Sequence, residues 1–351
     1  MISNDLSPFD NCPALDGYHC QTNSLAKIFH YHGCPLSEEM ILGLGAGMGF
    51  IYWHQKGAPP FVGGRGNLKR FFQDLGERTA VKIEVKTTSS ERKAERALLA
   101  KLAQNEPVMV YADMGLLPWF DLPEDYHFGG HTFVVCGYDG HDRVLASDMD
   151  QKASGLKKGF YYPVTLEQLR PARSSPHKPY PPKNAYLAFD FSAYHPPRDE
   201  DVYAAIDQTV QAMLNPPISN LGVKGIRRTA KEITKWPDKF DDTELRMNLF
   251  SLYVFIEIGG TGGGCFRYMY ARFLKEAAAI TSNPALERAA SMVHESGAAF
   301  TELGLLFKDA ETAPDLDERI DKASEEFVRI AVLEEEAFQF LTEKTPQASY
   351  N

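Results

Sequence analysis

Three residues of this sequence have the types and spacing of a nucleophile, a base and an orienting carboxylate: Cys20, His131 and Asp148. A thiol attacks as its thiolate, so a reactive cysteine needs something that lowers its pKa, typically a helix N-terminus and an adjacent imidazole. Cys20 precedes QTNSLAKIFHYH (21–32), whose apolar side chains recur at helical spacing and which stops at Gly33, a residue suited to a left-handed C-terminal cap. The cysteine therefore falls in the first turn of a helix. His131 follows Gly129 and Gly130 at the head of an apolar strand reaching Tyr138. A turn at Asp139 and Gly140 and a second strand, Val144 to Ser147, make a hairpin that ends at Asp148. Antiparallel pairing would bring Asp148 back beside His131 to accept its imidazole N–H, with Asp150 on the same loop as the alternative acceptor.

The surrounding elements are mixed in the first half and helical in the second. Residues 36–46 read as a short helix starting at Ser37, and 66–75 as another. Val81, Ile83 and Val85 alternate as a strand, 90–104 form an amphipathic helix, and Val108 to Tyr111 form an apolar strand. Thr165 to Arg170 is a short capped helix and Tyr186 to Phe191 a last strand. This half is α+β. Residues 171–198 are rich in proline, as in a linker or an irregular surface segment. Beyond Asp199 the pattern is helical over 199–214, 223–235, 241–257, 265–280, 283–307 and 315–343. The expected domains are 1–195 and 196–351, the second an all-α helical domain.

Composition excludes several classes. The chain of 351 residues has a formal charge of -10, which disfavours non-specific nucleic-acid binding and attraction to anionic membranes. No apolar stretch is long enough for a membrane span, and the N-terminus MISNDLSPFDNCPALDG has no basic start followed by an apolar run, so a cytoplasmic protein is expected. Five cysteines without CxxC spacing fit neither a disulfide framework nor a zinc site. Neither a metal nor an organic cofactor is required.

The order Cys20, His131, Asp148 resembles that of papain-like peptidases that process bacteriocin leaders, in which a strand of the type HFVV is followed by a turn and a strand ending in Asp. More closely, the segments GYHCQTNSLAKIF, ILGLGAGMGFIYW, FVGGRGNLKRFFQDLG and GGHTFVVCGYDG with ASDMD resemble the butirosin biosynthesis protein H family. In the second half, FIEIGGTGGGCFRYMYARFLKEAA resembles the domain of unknown function that accompanies that family's N-terminal domain. The resemblance implies a papain-like cysteine-nucleophile domain followed by a helical one, and a natural-product acyltransferase. An acyl group would pass from a carrier-protein or CoA thioester to Cys20, and then to an amine of a small-molecule acceptor. His131 would act as base and Asp148 would fix its tautomer. Phosphopantetheine enters only as part of the acyl substrate, and an acyl carrier protein is the expected partner. The alternatives are a thioester hydrolase or cyclase, a cysteine peptidase, and a non-catalytic acyl-carrier binding protein. There is room for a homo-oligomer.

One position departs from the peptidase pattern. Those enzymes place a glutamine six residues ahead of the cysteine to complete the oxyanion hole, and here that position is Ala14. Asn11, the Asp16 backbone, Gln21 and Asn23 are candidate donors. The glycine-rich stretches at 43–55 and 61–66 read as loops walling the cleft, with Tyr52, His54 and Arg65 as candidate substrate contacts. GGTGGG (259–264) lacks the ending of a Walker loop; it either lets helices cross closely or offers amides, with Arg267, to a pantetheine phosphate. Lys224, Arg227, Arg228, Lys231, Lys235 and Lys239 form a basic run that is either a solvated face or complementary to an acidic carrier protein.

Overall fold

The computed structural model describes residues 6–150 and 155–346. In chain order the elements are α1 (Cys20–Tyr31), α2 (Glu38–Leu44), β1 (Met48–Trp53), β2 (Phe61–Arg65), α3 (Phe71–Thr79), β3 (Lys82–Lys86), α4 (Glu91–Leu102), β4 (Val108–Ala112), β5 (His131–Tyr138) and β6 (Arg143–Met149). They continue with β7 (Gly159–Thr165), α5 (Leu166–Ser174), β8 (Tyr186–Asp190), α6 (Asp199–Leu214), α7 (Gly222–Ile233), α8 (Asp242–Tyr253), α9 (Arg267–Thr281), α10 (Ala285–Leu305) and α11 (Leu316–Lys344). Mixed α and β structure thus fills the N-terminal half, and helices the C-terminal region.

The chain packs as two compact units, 1–41 with 80–196 and 42–79 with 197–351. One division falls within two residues of the boundary read from the sequence. Residues 42–79, expected in the first domain, pack in the second unit, because their apolar side chains (Phe50, Tyr52, Val62, Phe71, Leu75) are buried there.

The first unit is built on an antiparallel sheet of six strands in the order β3-β8-β4-β5-β6-β7. Its central strand β5 is buried along almost its whole length. On one face α1 lays Leu25, Ile28 and Phe29, all fully buried, against β5, β4 and β6. On the other, Leu98, Leu102, Leu169 and Ala172 from α4 and α5 join the core built on Val108, Val110, Phe133, Val135, Val144 and Ala146. β7, missed in the sequence, contains Pro163; as an edge strand it tolerates a residue that donates no ladder hydrogen bond.

The second unit is helical apart from the hairpin β1–β2, a register-shifted pair that the sequence reading took for loops. α10 packs between α9 and α11, and α7 lies against α11 and β1. The helix expected over 241–257 is α8 followed by a π-helical turn, Val254–Ile258, that ends at the glycine loop. Gly260, Gly262, Gly263 and Gly264 take positive φ there, followed by Cys265 (φ 53) and Phe266 (φ 72), so α9 begins at Arg267 rather than at residue 265. A Cβ on Gly264 would lie 2.8 Å from the Gly297 carbonyl oxygen of α10. Of the two readings of GGTGGG, this contact matches the close crossing.

Candidate active site

α1 begins at Cys20 because the loop before it is held from several directions. The His19 ring accepts from Thr22 N–H as the N-cap (3.3 Å). The buried carboxylate of Glu38 accepts from Tyr18 N–H (2.9 Å), His19 N–H (3.1 Å), Thr22 Oγ1 (2.6 Å) and Asn23 Nδ2 (3.2 Å). Gly17 must be glycine for this approach, since a Cβ there would lie 1.8 Å from Glu38 Oε1. Burial pushes the Glu38 carboxyl up, against the pull of these hydrogen bonds. Glu38→Ala leaves buried donors unanswered and should lower the unfolding free energy by about 2–3 kcal/mol. Urea titration followed by tryptophan fluorescence measures this, and an unchanged midpoint would show that Glu38 does not hold the loop.

The structure brings Cys20, His131 and Asp148 together in the first unit. His131, fully buried at the start of β5, has Nε2 2.8 Å from Asp148 Oδ2 at the end of β6. Cys20 lies close enough to the same imidazole for the two groups to shift each other's charge. With Nε2 given to the carboxylate, Nδ1 is the nitrogen left for the thiol, the reverse of the Ser-His-Asp assignment. Asp148 Oδ1 accepts from Met149 N–H (2.8 Å). Asp150 is half-buried and its N–H donates to Lys158 O (2.7 Å); the contact with His131 belongs to Asp148.

The charges of these groups sustain one another. Burial works against the charged imidazole, but the charge and hydrogen bond of Asp148, with Cys20 adding to them, push His131 up to about 10. Burial also works against the Cys20 thiolate, and His131 outweighs it, so the thiol sits below its ordinary value. Asp148 is likewise held below the usual carboxylate range despite its burial. Each charge thus favours the other: the imidazolium draws the thiol toward its thiolate, and the thiolate helps the imidazole to keep its proton.

Trp119 went unnoticed in the sequence. Its indole N–H donates to Asp148 Oδ2 (3.0 Å), its ring stacks on Tyr162 (centroids 5.1 Å apart), and the neighbouring Phe120 sets its ring edge-on to His131 (5.2 Å). These aromatics cover the imidazole–carboxylate contact, and exclusion of water strengthens such a contact. Their loop is tied at its base by Asp113, which accepts from Gly115 N–H, Phe128 N–H, Ser175 Oγ and the His127 ring. The signal was the aromatic, proline-containing run LLPWFDLPEDYHF just ahead of the Gly-Gly-His. Lys27 was also missed. It is buried in α1 with Nζ donating to Ser147 O (3.1 Å); burial lowers its pKa, and the charge of Asp148 opposes this.

Other sequence candidates have different work. Gln21 Nε2 donates to Tyr111 Oη (3.1 Å) next to Cys20. Asn23 is buried and donates to Leu15 O, Asp16 O and Glu38, so it holds the loop and does not meet a substrate. The Asp16 carboxylate is bound by Lys158 Nζ (2.8 Å) and Gly159 N–H (3.0 Å), and Asn11 is an exposed residue in a left-handed turn.

Four candidates belong to the second unit. Tyr52 is a core residue of β1, 2 % exposed, so it is corrected from substrate contact to packing. The Arg65 guanidinium lies over Phe71 (4.5 Å) and Phe266 (5.7 Å), and His54 packs near Phe240. Arg267 is fully buried: Nε and Nη2 donate to Glu334 (2.6 and 2.9 Å), and Nη1 to Gly49 O (2.9 Å) and Cys265 O (2.7 Å). A guanidinium so occupied is not available to a phosphate. Cys265 is no second nucleophile, since burial pushes its thiol up to about 12. The basic run is largely paired within the unit, Arg227 with Glu335, Lys235 and Lys239 with Glu232, and Arg228 with Ser219 and Asn220.

A buried carboxylate, an imidazole and a thiol at a helix start are the groups that a Cys-His-Asp site requires. Residues 19–149 match the N-terminal domain of butirosin biosynthesis protein H, and residues 167–341 match a domain of unknown function, DUF4872. The chain belongs to the butirosin biosynthesis protein H family. No curated protein matches it. Among the described residues, no helix is long and apolar enough to cross a membrane.

Proposed function

We propose that this protein is a cysteine-dependent acyltransferase of specialised metabolism, papain-like in its catalytic unit, which moves an acyl group from a carrier-protein thioester to an amine. The Cys20 thiolate attacks the thioester carbonyl, forming a carbon–sulfur bond while the carbonyl electron pair moves onto oxygen. The intermediate collapses, the bond to the pantetheine sulfur breaks, and His131 gives its proton to that leaving thiolate. In the second half His131 takes a proton from the incoming amine, which displaces Cys20 and leaves an amide. The thiolate–imidazolium pair is restored. Asp148 holds the imidazole in place throughout and stabilises its charge whenever it carries the proton.

The observation that carries this reading is the His131 imidazole tied at 2.8 Å to a buried Asp148, with the Cys20 thiol near enough to have its pKa lowered by that imidazole. Membership in a family named for a butirosin biosynthesis protein supports an enzyme of natural-product assembly. Lys224 and Lys231, exposed on α7, would meet an acidic carrier protein.

The test is intact-protein mass spectrometry after incubation with a panel of acyl thioesters. The chain should gain the mass of the acyl group, Cys20→Ala should gain nothing, and an added amine should discharge the adduct as an amide. No adduct and no thiol release with any thioester would sink the acyltransferase reading. An adduct discharged only to the free acid, whatever amine is supplied, would make the protein a hydrolase.

A further inference from the structure

Lys157 is 3 % exposed, a burial that a lysine tolerates only when its charge is answered. Its backbone is pinned to the loop that leads into α1. Gly17 N–H donates to Lys157 O (2.9 Å) and Lys157 N–H to Gly17 O (2.7 Å). The docking continues through Lys158 Nζ on Asp16 Oδ2 and Gly159 N–H on Asp16 Oδ1, and a Cβ on Gly159 would lie 2.5 Å from the Ala14 carbonyl oxygen. Residues 157–159 therefore lie along 14–17. That stretch includes Ala14, the place where the resembling peptidases carry their oxyanion-hole glutamine. Lys158 is exposed and Lys157 buried, as alternation along an extended segment requires.

The charges around Lys157 single out the nucleophile. Burial lowers its pKa; against this Cys20 attracts its ammonium most, followed by Asp148, Glu38 and Asp150. Lys27 is placed differently, since its strongest attraction is to Asp148 and its Nζ is bound to Ser147 O. The two buried lysines thus answer different members of the site most strongly, Lys27 the carboxylate and Lys157 the thiol.

We infer that Lys157 stabilises the oxyanion formed when Cys20 attacks a thioester, the task that a glutamine amide has in the peptidases the sequence resembles. The assignment rests on the acyl-transfer reading above. When sulfur bonds to the carbonyl carbon, the negative charge leaves sulfur and gathers on the carbonyl oxygen. A fixed cation in a dry site stabilises that charge far more than one in water. Lys157 keeps its proton throughout; His131 supplies the one the leaving thiolate needs.

The experiment compares two rates in the full chain and in Lys157→Met and Lys157→Gln. One is acyl-enzyme formation from an acyl thioester, followed by mass. The other is alkylation of Cys20 by iodoacetamide, a displacement of iodide in which no oxyanion forms, taken on its pH-independent plateau. Lys157→Met should slow acylation by about 10²- to 10³-fold while alkylation is nearly unchanged. Lys157→Gln, which restores an amide donor, should recover part of the acylation rate and remains informative if the methionine variant does not fold. A parallel fall of both rates, or an unchanged acylation rate, would overturn the role of Lys157 alone. Failure of the unsubstituted chain to acylate would overturn the acyl-transfer reading, and this assignment with it.

Discussion

Asp148→Ala is expected to lower acyl transfer by about 10³- to 10⁴-fold, the scale seen when the orienting carboxylate of a catalytic triad is lost. Asp148 Oδ2 meets His131 Nε2 at 2.8 Å and the Trp119 indole at 3.0 Å, so the variant frees the imidazole to turn and removes one wall of its pocket. It also reverses the electrostatics. In the native site His131 is held up at about 10, chiefly by Asp148 working against burial. Without that charge burial is opposed by Cys20 alone, the imidazole pKa falls, and the thiolate loses support from its cation. The sign follows directly. Native acyl transfer falls on the acid side as Cys20 protonates at its lowered pKa, and on the alkaline side as His131 loses its proton near 10. In Asp148→Ala the alkaline limb moves to lower pH and the acid limb of alkylation to higher pH, narrowing the profile from both sides. Profiles of acylation and iodoacetamide alkylation measure this. An alkaline limb that stays in place would remove Asp148 from its assigned role.

Arg267→Met should destabilise the second unit by about 3–5 kcal/mol. The Arg267 guanidinium joins the Glu334 carboxylate of α11, the Gly49 carbonyl of β1 and the Cys265 carbonyl before α9, and it lies 4.6 Å from the Phe300 ring centre of α10. Ser296 Oγ adds a hydrogen bond to Glu334 (2.7 Å). Removing the arginine leaves a carboxylate buried without its cation, which costs more than the pair itself contributes. The double variant Arg267→Met with Glu334→Leu should regain much of the loss, because it buries no lone charge. Chemical denaturation of the three proteins measures the cycle. Equal midpoints for the single variant and the native chain would mean that the network adds nothing to stability.

How far these features could be read beforehand follows from the physics of each. The cysteine-led helix, the Gly-Gly-His strand and the hairpin ending in Asp148 were legible because each depends on local pattern and short-range pairing. β1 and β2 were hidden: Gly47 and Gly49, then Gly63 and Gly64, remove the side chains by which alternation is recognised. β7 was hidden by a proline that an edge strand tolerates. Trp119 and Lys157 reach the site through contacts across the fold, and no periodicity marks those. Arg267 misled because an arginine beside a glycine run suggests an anion site, whereas its partner Glu334 lies 67 residues away.

The interleaving of the two units has a consequence for how the chain is made. Residues 42–79 leave the ribosome before residues 80–196, yet they belong to a unit completed only by residues 197–351. While the first unit gathers its sheet, the nascent β1, β2 and α3 carry Phe50, Val62, Phe71 and Leu75 without the helices that will cover them. Translation completes the nucleophile-bearing unit with this insertion still waiting for its partners. Splitting the gene at the apparent proline-rich seam would release a sticky hairpin and helix with the first fragment, and its partner would lack the strand that supplies the Gly49 carbonyl to Arg267.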